Sequence, residues 1–173
     1  MRKASIVVAS AMFLAAGIAF AQAPNDAQIA HIVVTANQVD IDAGKLAESK
    51  STNADIKAFG QRMVTDHSGV NKSATELVTK LKVTPEDNPT SQALIKGGQQ
   101  NLTNLNGLSG AAFDKAYVDH EVAYHQQVLD AVDKTLIPNA KNEELKALIV
   151  KVRPAFVAHL EHAKMLQSKM GKG

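Results

Sequence analysis

The sequence predicts an all-α fold, a four-helix bundle with a short extra helix in the crossover between helices two and three. Three observations carry this expectation. Apolar residues recur in steps of three and four along four long stretches, the spacing of a seam between packed helices. Between the second and third stretches, a proline-containing loop and a glycine cluster bracket a weaker, shorter helical pattern. Each long seam also makes an ionisable exception, and these exceptions fall at similar depths.

The chain has 173 residues, 45% of them hydrophobic, which is enough for one domain with its own core. Residues 1–21 are expected to be a signal peptide. Arg2 and Lys3 form its basic start, Ile6 to Ile18 its apolar run, and Ala19-Phe20-Ala21 a small-x-small cleavage site. The apolar run falls short of the ~20 residues that a bilayer span needs. The domain then covers 22–173, with no transmembrane segment after cleavage. Removing Arg2 and Lys3 lowers the 19 basic residues to 17, equal to the 17 acidic ones, so the mature chain is neutral. It has no basic stripe of the kind that nucleic-acid binding requires. The absence of Cys excludes disulfides, thiolate metal sites and lipid attachment at a cysteine. An exported domain of this kind has to be held by its core.

Asn25, with Gln28 three residues on, caps a first helix to about Ser49. Its seam is Ile29, Ile32, Ala36, Val39, Ala43 and Leu46, with Asp40 beside it. Asn53 or Thr52 caps a second helix to about Lys82. Its seam runs Ile56, Gly60, Met63, His67, Val70, Ala74, Leu77, Leu81, and His67 is the one ionisable member. Gly60 weakens a helix by roughly 1 kcal/mol relative to Ala, so close packing is expected there. The loop Thr84 to Pro89 precedes the short helix, Thr90 to Asn106, which Gly97-Gly98 is expected to interrupt. A third long helix starts at Ser109 or Gly110 and ends near Leu136. Within it Glu121 and His125 are four apart and share one face between two apolar flanks. The last helix, about Lys141 to Met170, has the seam Leu145, Ile149, Val152, Phe156, His159, Ala163, Leu166, Met170, with His159 its ionisable exception. Pro154 inside it predicts a kink.

If the short helix carries the chain back along the bundle, helices two and three run parallel, the one-crossover arrangement of ferritin-like folds. At 1.5 Å rise per residue, His67 then lies ~21 Å, and Glu121 and His125 ~16–22 Å, below their helix starts, and His159 and Asp40 lie ~15–16 Å from the same rim. Asp40, His67, Glu121, His125 and His159 are therefore expected at one level. Imidazoles and carboxylates together suit a divalent first-row ion, Zn, Fe, Mn or Cu, in a bundle core. A plainer reading pairs His67 with Asp40 and His159 with Glu121 as satisfied core residues. Asp66, beside His67, could orient it, although a solvated position is the simpler expectation. His120 and His162 belong to helix edges, His31 carries no role, and Tyr117 and Tyr124 read as core aromatics with hydroxyl partners.

Several runs resemble one family. They are Asp40-Ile41-Asp42-Ala43-Gly44-Lys45-Leu46-Ala47; Phe59 to His67, FGQRMVTDH; Leu108 to Tyr117, LSGAAFDKAY; and Arg153 to Leu160, RPAFVAHL. The chain is similar to the exported ferritin-like family called domain of unknown function 4142, often labelled an outer membrane protein. The resemblance implies an exported bacterial protein with a ferritin-like four-helix bundle, the family's acid falling on Asp40 and its histidines on His67, His125 and His159. No strand pattern supports a membrane barrel, so that label is not carried over as a location. Di-iron proteins of similar fold carry Glu-x-x-His on two helices. Here Val64 and Phe156 stand three residues before His67 and His159, so a conventional di-iron centre is not expected.

The expected protein is thus a periplasmic or secreted bundle, more non-enzymatic than enzymatic in its residues, that binds or sequesters a divalent transition metal, with envelope stress as its setting. The alternative is a structural or interaction module whose buried His–carboxylate pairs only fix packing. A metalloenzyme ranks third, because the sequence offers no recognisable nucleophile or substrate pocket. It identifies no protein partner.

Overall fold

A computed structural model describes residues 23–171; the predicted signal peptide, 1–21, lies outside the described residues. The elements are α1 (Asp26–Lys50), α2 (Ala54–Leu81), α3 (Pro89–Asn106), α4 (Gly110–Ala131), a π-helical turn (Val132–Leu136), the short α5 (Ile137–Asn139) and α6 (Glu143–Met170). No strand occurs among the described residues.

Four asparagines start four of these helices. Asn25 accepts from the Gln28 N–H in a capping box, Asn53 from Asp55 and Ile56, Asn88 from Ser91, and Asn142 from Glu144 and Leu145. Each satisfies backbone donors that the first helical turn leaves unpaired. Asn142 sets the start of α6 at Glu143, two residues beyond the expected Lys141. Pro89 occupies the first turn of α3, where its missing N–H costs nothing.

Contacts between helix ends fix the directions. The Lys141 and Asn142 N–H groups donate to Asp26 at 2.8 and 3.0 Å, so α1 and α6 start at one end. Lys169 pairs with Asp55 at 3.0 Å and Lys80 with Glu144, so α2 runs antiparallel to α6. Arg153 makes a two-bond pair with Asp133, and Gln167 donates to Asp119, so α4 is also antiparallel to α6 and parallel to α2. The α3 helix returns the chain along α1. Its start holds Gln28 through Asn88, and the Lys50 ammonium donates to the Leu105 and Asn106 carbonyls at its end.

Two close approaches set the spacing of this packing. A Cβ on Gly44 would lie 2.8 Å from the Gly60 carbonyl oxygen, and one on Gly60 would lie 2.8 Å from that of Gly44. The α1 and α2 backbones therefore touch where the sequence placed Gly60 in a seam. In α3, Gly97 and Gly98 do not interrupt the helix. Gly98 lies against Val39, whose Cγ2 would be 2.9 Å from an added Cβ, so this glycine serves packing rather than a break.

The apolar core comes in two parts. Ile29, Ile32, Val70, Leu129, Ile149 and Phe156 belong to one, and Ala43, Phe59, Met63, Phe113, Tyr117 and Leu166 to the other. Asp40 in α1, His67 in α2 and Glu121 and His125 in α4 fall between these two sets along their helices, and His159 falls near the junction of the sets in α6.

Replacing Gly60 or Gly44 by Ala should lower stability by ~1–3 kcal/mol through overpacking, despite the ~1 kcal/mol that Ala adds in helix propensity. Gly69 is the control, since an added Cβ meets nothing within 4 Å there and Gly69→Ala should stabilise. Urea denaturation of the three variants measures both signs.

Candidate metal centre

The layer between the two apolar parts contains Asp40 from α1, His67 from α2, Glu121 and His125 from α4, and His159 from α6. None is more than 3% exposed. One ligand nitrogen each from His67, His125 and His159 lies within 4.8 Å of the other two, and Asp40, Glu121 and His125 form a second group of the same tightness. The ring centroids of the three histidines are 5.1, 5.4 and 5.7 Å apart. All five residues predicted from the seams are thus brought together.

Each histidine uses one ring nitrogen to hold its orientation. His67 Nδ1 lies 2.6 Å from Asn37 Oδ1, and the Asn37 amide nitrogen is committed to the Val33 carbonyl at 2.7 Å. The amide oxygen therefore faces the ring, and Nδ1–H donates to it. His125 Nδ1 donates to the Glu121 backbone carbonyl at 3.1 Å and lies 3.4 Å from Glu121 Oε2. His159 Nε2 donates to Asp66 Oδ2 at 2.8 Å. The opposite nitrogens, His67 Nε2, His125 Nε2 and His159 Nδ1, are buried without a hydrogen-bond partner, as are both Glu121 carboxylate oxygens. Unsatisfied buried polar atoms are costly, and five in one layer are an arrangement that a cation would satisfy. Fixing the ring by its second nitrogen is also how metal-ligating histidines are normally oriented.

The charges point the same way. Burial, then repulsion from the neighbouring His125 and His159 rings, lowers the pKa of His67 to about 2. Burial also lowers His159, to about 4, against the opposing pull of Asp66. Both rings are neutral at ordinary pH, the state a metal needs. For His125 burial opposes the charge, but Asp40 and Glu121 outweigh it and raise the pKa to about 9. Burial raises Asp40 well above the carboxylate range, with His125 opposing and Glu121 reinforcing. In the metal-free chain the negative charge is thus met in part by the proton on His125. A divalent ion could replace it.

The plainer pairing holds only in part. His67 Nε2 lies 3.5 Å from Asp40 Oδ2 without a hydrogen bond, and His159 turns to Asp66 rather than to Glu121. Asp66 is no partner of His67. Half-exposed, it links His159 to Arg62, whose Nε is 3.3 Å away and whose Nη1 lies 3.5 Å from His162 Nδ1. Phe156 stacks on His67 with centroids 5.3 Å apart, filling the place where a second carboxylate would be needed for a conventional di-iron pattern. Tyr124 donates to the Ala36 carbonyl, whereas the buried Tyr117 hydroxyl has no partner. His120 and His162 are half-buried and lie outside the layer. Asn37 was missed by sequence reasoning; its only signal was a polar residue three before Asp40.

Residues 13–166 match the family described as Domain of unknown function (DUF4142). The chain belongs to that family. The match spans every one of the five layer residues of this DUF4142 protein, and it assigns none of them a role. No curated protein and no solved structure gives a significant match.

The metal-free protein should be most stable near pH 6.5. Below it, unfolded His67 and His159 bind protons that the folded rings, with pKa values of about 2 and 4, refuse, so stability falls as the pH drops. The raised Asp40 offsets part of that loss. Above it, the folded state retains a proton on His125, up to about 9, that the unfolded chain releases, so stability falls again. Urea midpoints from pH 4 to 9 with chelator present would reveal this maximum. A midpoint rising steadily with acid would contradict it.

Proposed function

We propose that this protein is an exported, periplasmic or secreted bundle of ferritin-like arrangement that binds one divalent transition ion in its core. His67, His125 and His159 are the nitrogen ligands, with Asp40 and Glu121 supplying compensating charge and oxygen ligands. The observation that carries the reading is the unpartnered nitrogen on each of three mutually adjacent histidines, each ring held from its other side. A device that only fixed helix register would be expected to pair those atoms. Nitrogen and oxygen ligands together favour Zn, Fe, Mn or Cu(II) over softer ions. Three neutral imidazoles with two carboxylates around a divalent ion sum to zero charge, the condition under which a buried site is affordable. The role that follows is binding or sequestration, with envelope stress as its setting.

Elemental analysis of the mature, untagged protein purified without chelators tests this directly. One equivalent of metal is expected, and His67→Ala and His159→Ala should each abolish it. Metal far below one equivalent, with no thermal shift on adding Zn, Fe, Mn or Cu, would refute the reading. Asp66→Asn should weaken binding by roughly 10–100-fold while leaving the stoichiometry intact, because it removes the acceptor that orients His159.

Uptake should also release a proton, since the ion displaces the one held on His125. Affinity is then expected to rise about tenfold per pH unit for each proton expelled, levelling off near the His125 value of about 9. Calorimetric titration in buffers of different ionisation enthalpy counts the protons. Equal heats in all buffers would mean that none leaves.

A further inference from the structure

The layer is not sealed on every side. A cleft between α1, α3 and α4 leads inward from Leu94 and Gln127, past Ala36, Val128 and Ala131, to a deep end formed by Asp40 and His67. Its lining surface is almost entirely hydrocarbon, and Asn37, Asp40 and His67 are among the lining residues. Within it ≈ 50 Å³ is open to the centres of water-sized spheres, where one water needs about 10–15 Å³. The space suits a molecule of a few heavy atoms. The unpartnered His67 Nε2 belongs to a residue that is part of both this cleft and the histidine group.

We propose that this cleft admits a small, neutral, mostly apolar molecule bearing a lone pair, and that the molecule binds an exchangeable position on the metal. The proposal rests on the metal reading above and adds to it the class of ligand. Size and charge decide the class. An anion entering a hydrocarbon throat would lose its hydration without compensation and would meet the Asp40 carboxylate among the lining residues. A hydrated cation pays the same desolvation cost in the throat. A neutral diatomic or similarly small molecule loses little on entry and needs only one polar attachment, which the metal provides. With three imidazoles and two carboxylate oxygens as ligands, a six-coordinate ion such as Fe(II) keeps one position for an exchangeable external ligand. The π turn forms part of the wall through the buried Leu136, and such turns recur at functional sites.

The probe is nitric oxide added anaerobically to protein loaded with Fe(II), read by electron paramagnetic resonance and stopped-flow absorbance. Azide, similarly small but anionic, is the control. The expected result is a stoichiometric iron–nitrosyl signal and no change with azide. Ala131→Phe fills the throat from α4 and should slow the nitric oxide reaction by about tenfold or more, with iron affinity unchanged. Ala36→Phe fills it from α1 and serves the same purpose should the first variant unfold by circular dichroism. Failure to take up iron overturns the metal reading and this proposal together. Full iron uptake without a nitrosyl signal leaves the metal reading standing and overturns only the open position. Unchanged rates in a folded Phe variant would show that ligands arrive by another path, and azide binding as readily as nitric oxide would refute the apolar selection. Either result overturns the proposal.

Discussion

Five ionisable residues lie buried in one layer of the core, and the bundle is arranged around the cost of putting them there. Each of the four long helices contributes at least one of them at a position where its seam would otherwise be apolar. On either side the core is ordinary hydrocarbon: Ile29, Leu129 and Ile149 on one, Phe59, Phe113 and Leu166 on the other. A slip of one helix by a single turn, ~5.4 Å, would put a histidine or carboxylate against these side chains with nothing to pair it. The layer therefore constrains the relative heights of all four helices. That constraint holds whether or not a cation is present.

The helix directions follow from the same need. Asp40 and His159 meet His67 and His125 at one level only if α1 and α6 run one way and α2 and α4 the other. The α3 helix makes this possible by carrying the chain back along α1 before α4 begins. Its end is fastened by Lys50 to two carbonyls, and its flank by Gly98 against Val39. The same placement leaves a gap between α3 and α4, so the crossover that aligns the layer also leaves one side of it approachable.

Much of this was legible in the sequence because a helix seam is a strict ruler. One ionisable residue per otherwise apolar seam marks His67 and His159, and counting from helix ends gives their depth. The four-residue spacing of Glu121 and His125 marks a shared face. What stayed hidden was pairing across helices. Asp66 neighbours His67 in sequence, yet on a helix adjacent residues diverge by ~100°, and it reaches His159 instead. Asn37 gave no periodic signal, because its value lies in an amide turned by the Val33 carbonyl. The π turn at Val132–Leu136 has no composition of its own to announce it. Gly97-Gly98 looked like a break because glycine is ambiguous between a helix end and a close contact.

The contact between Gly44 and Gly60 reaches further than the two residues. Gly44 lies one turn, ~6 Å, along α1 from Asp40, and Gly60 lies two turns, ~10 Å, along α2 from His67. The glycines hold the helices at their minimum separation just below the layer, and the 3.5 Å between His67 Nε2 and Asp40 Oδ2 is measured across that same gap. They work as the pivot of a pair of calipers whose jaws are a nitrogen and a carboxylate oxygen. The width of the gap across which a buried nitrogen faces a carboxylate oxygen is therefore set partly at two positions that carry no side chain.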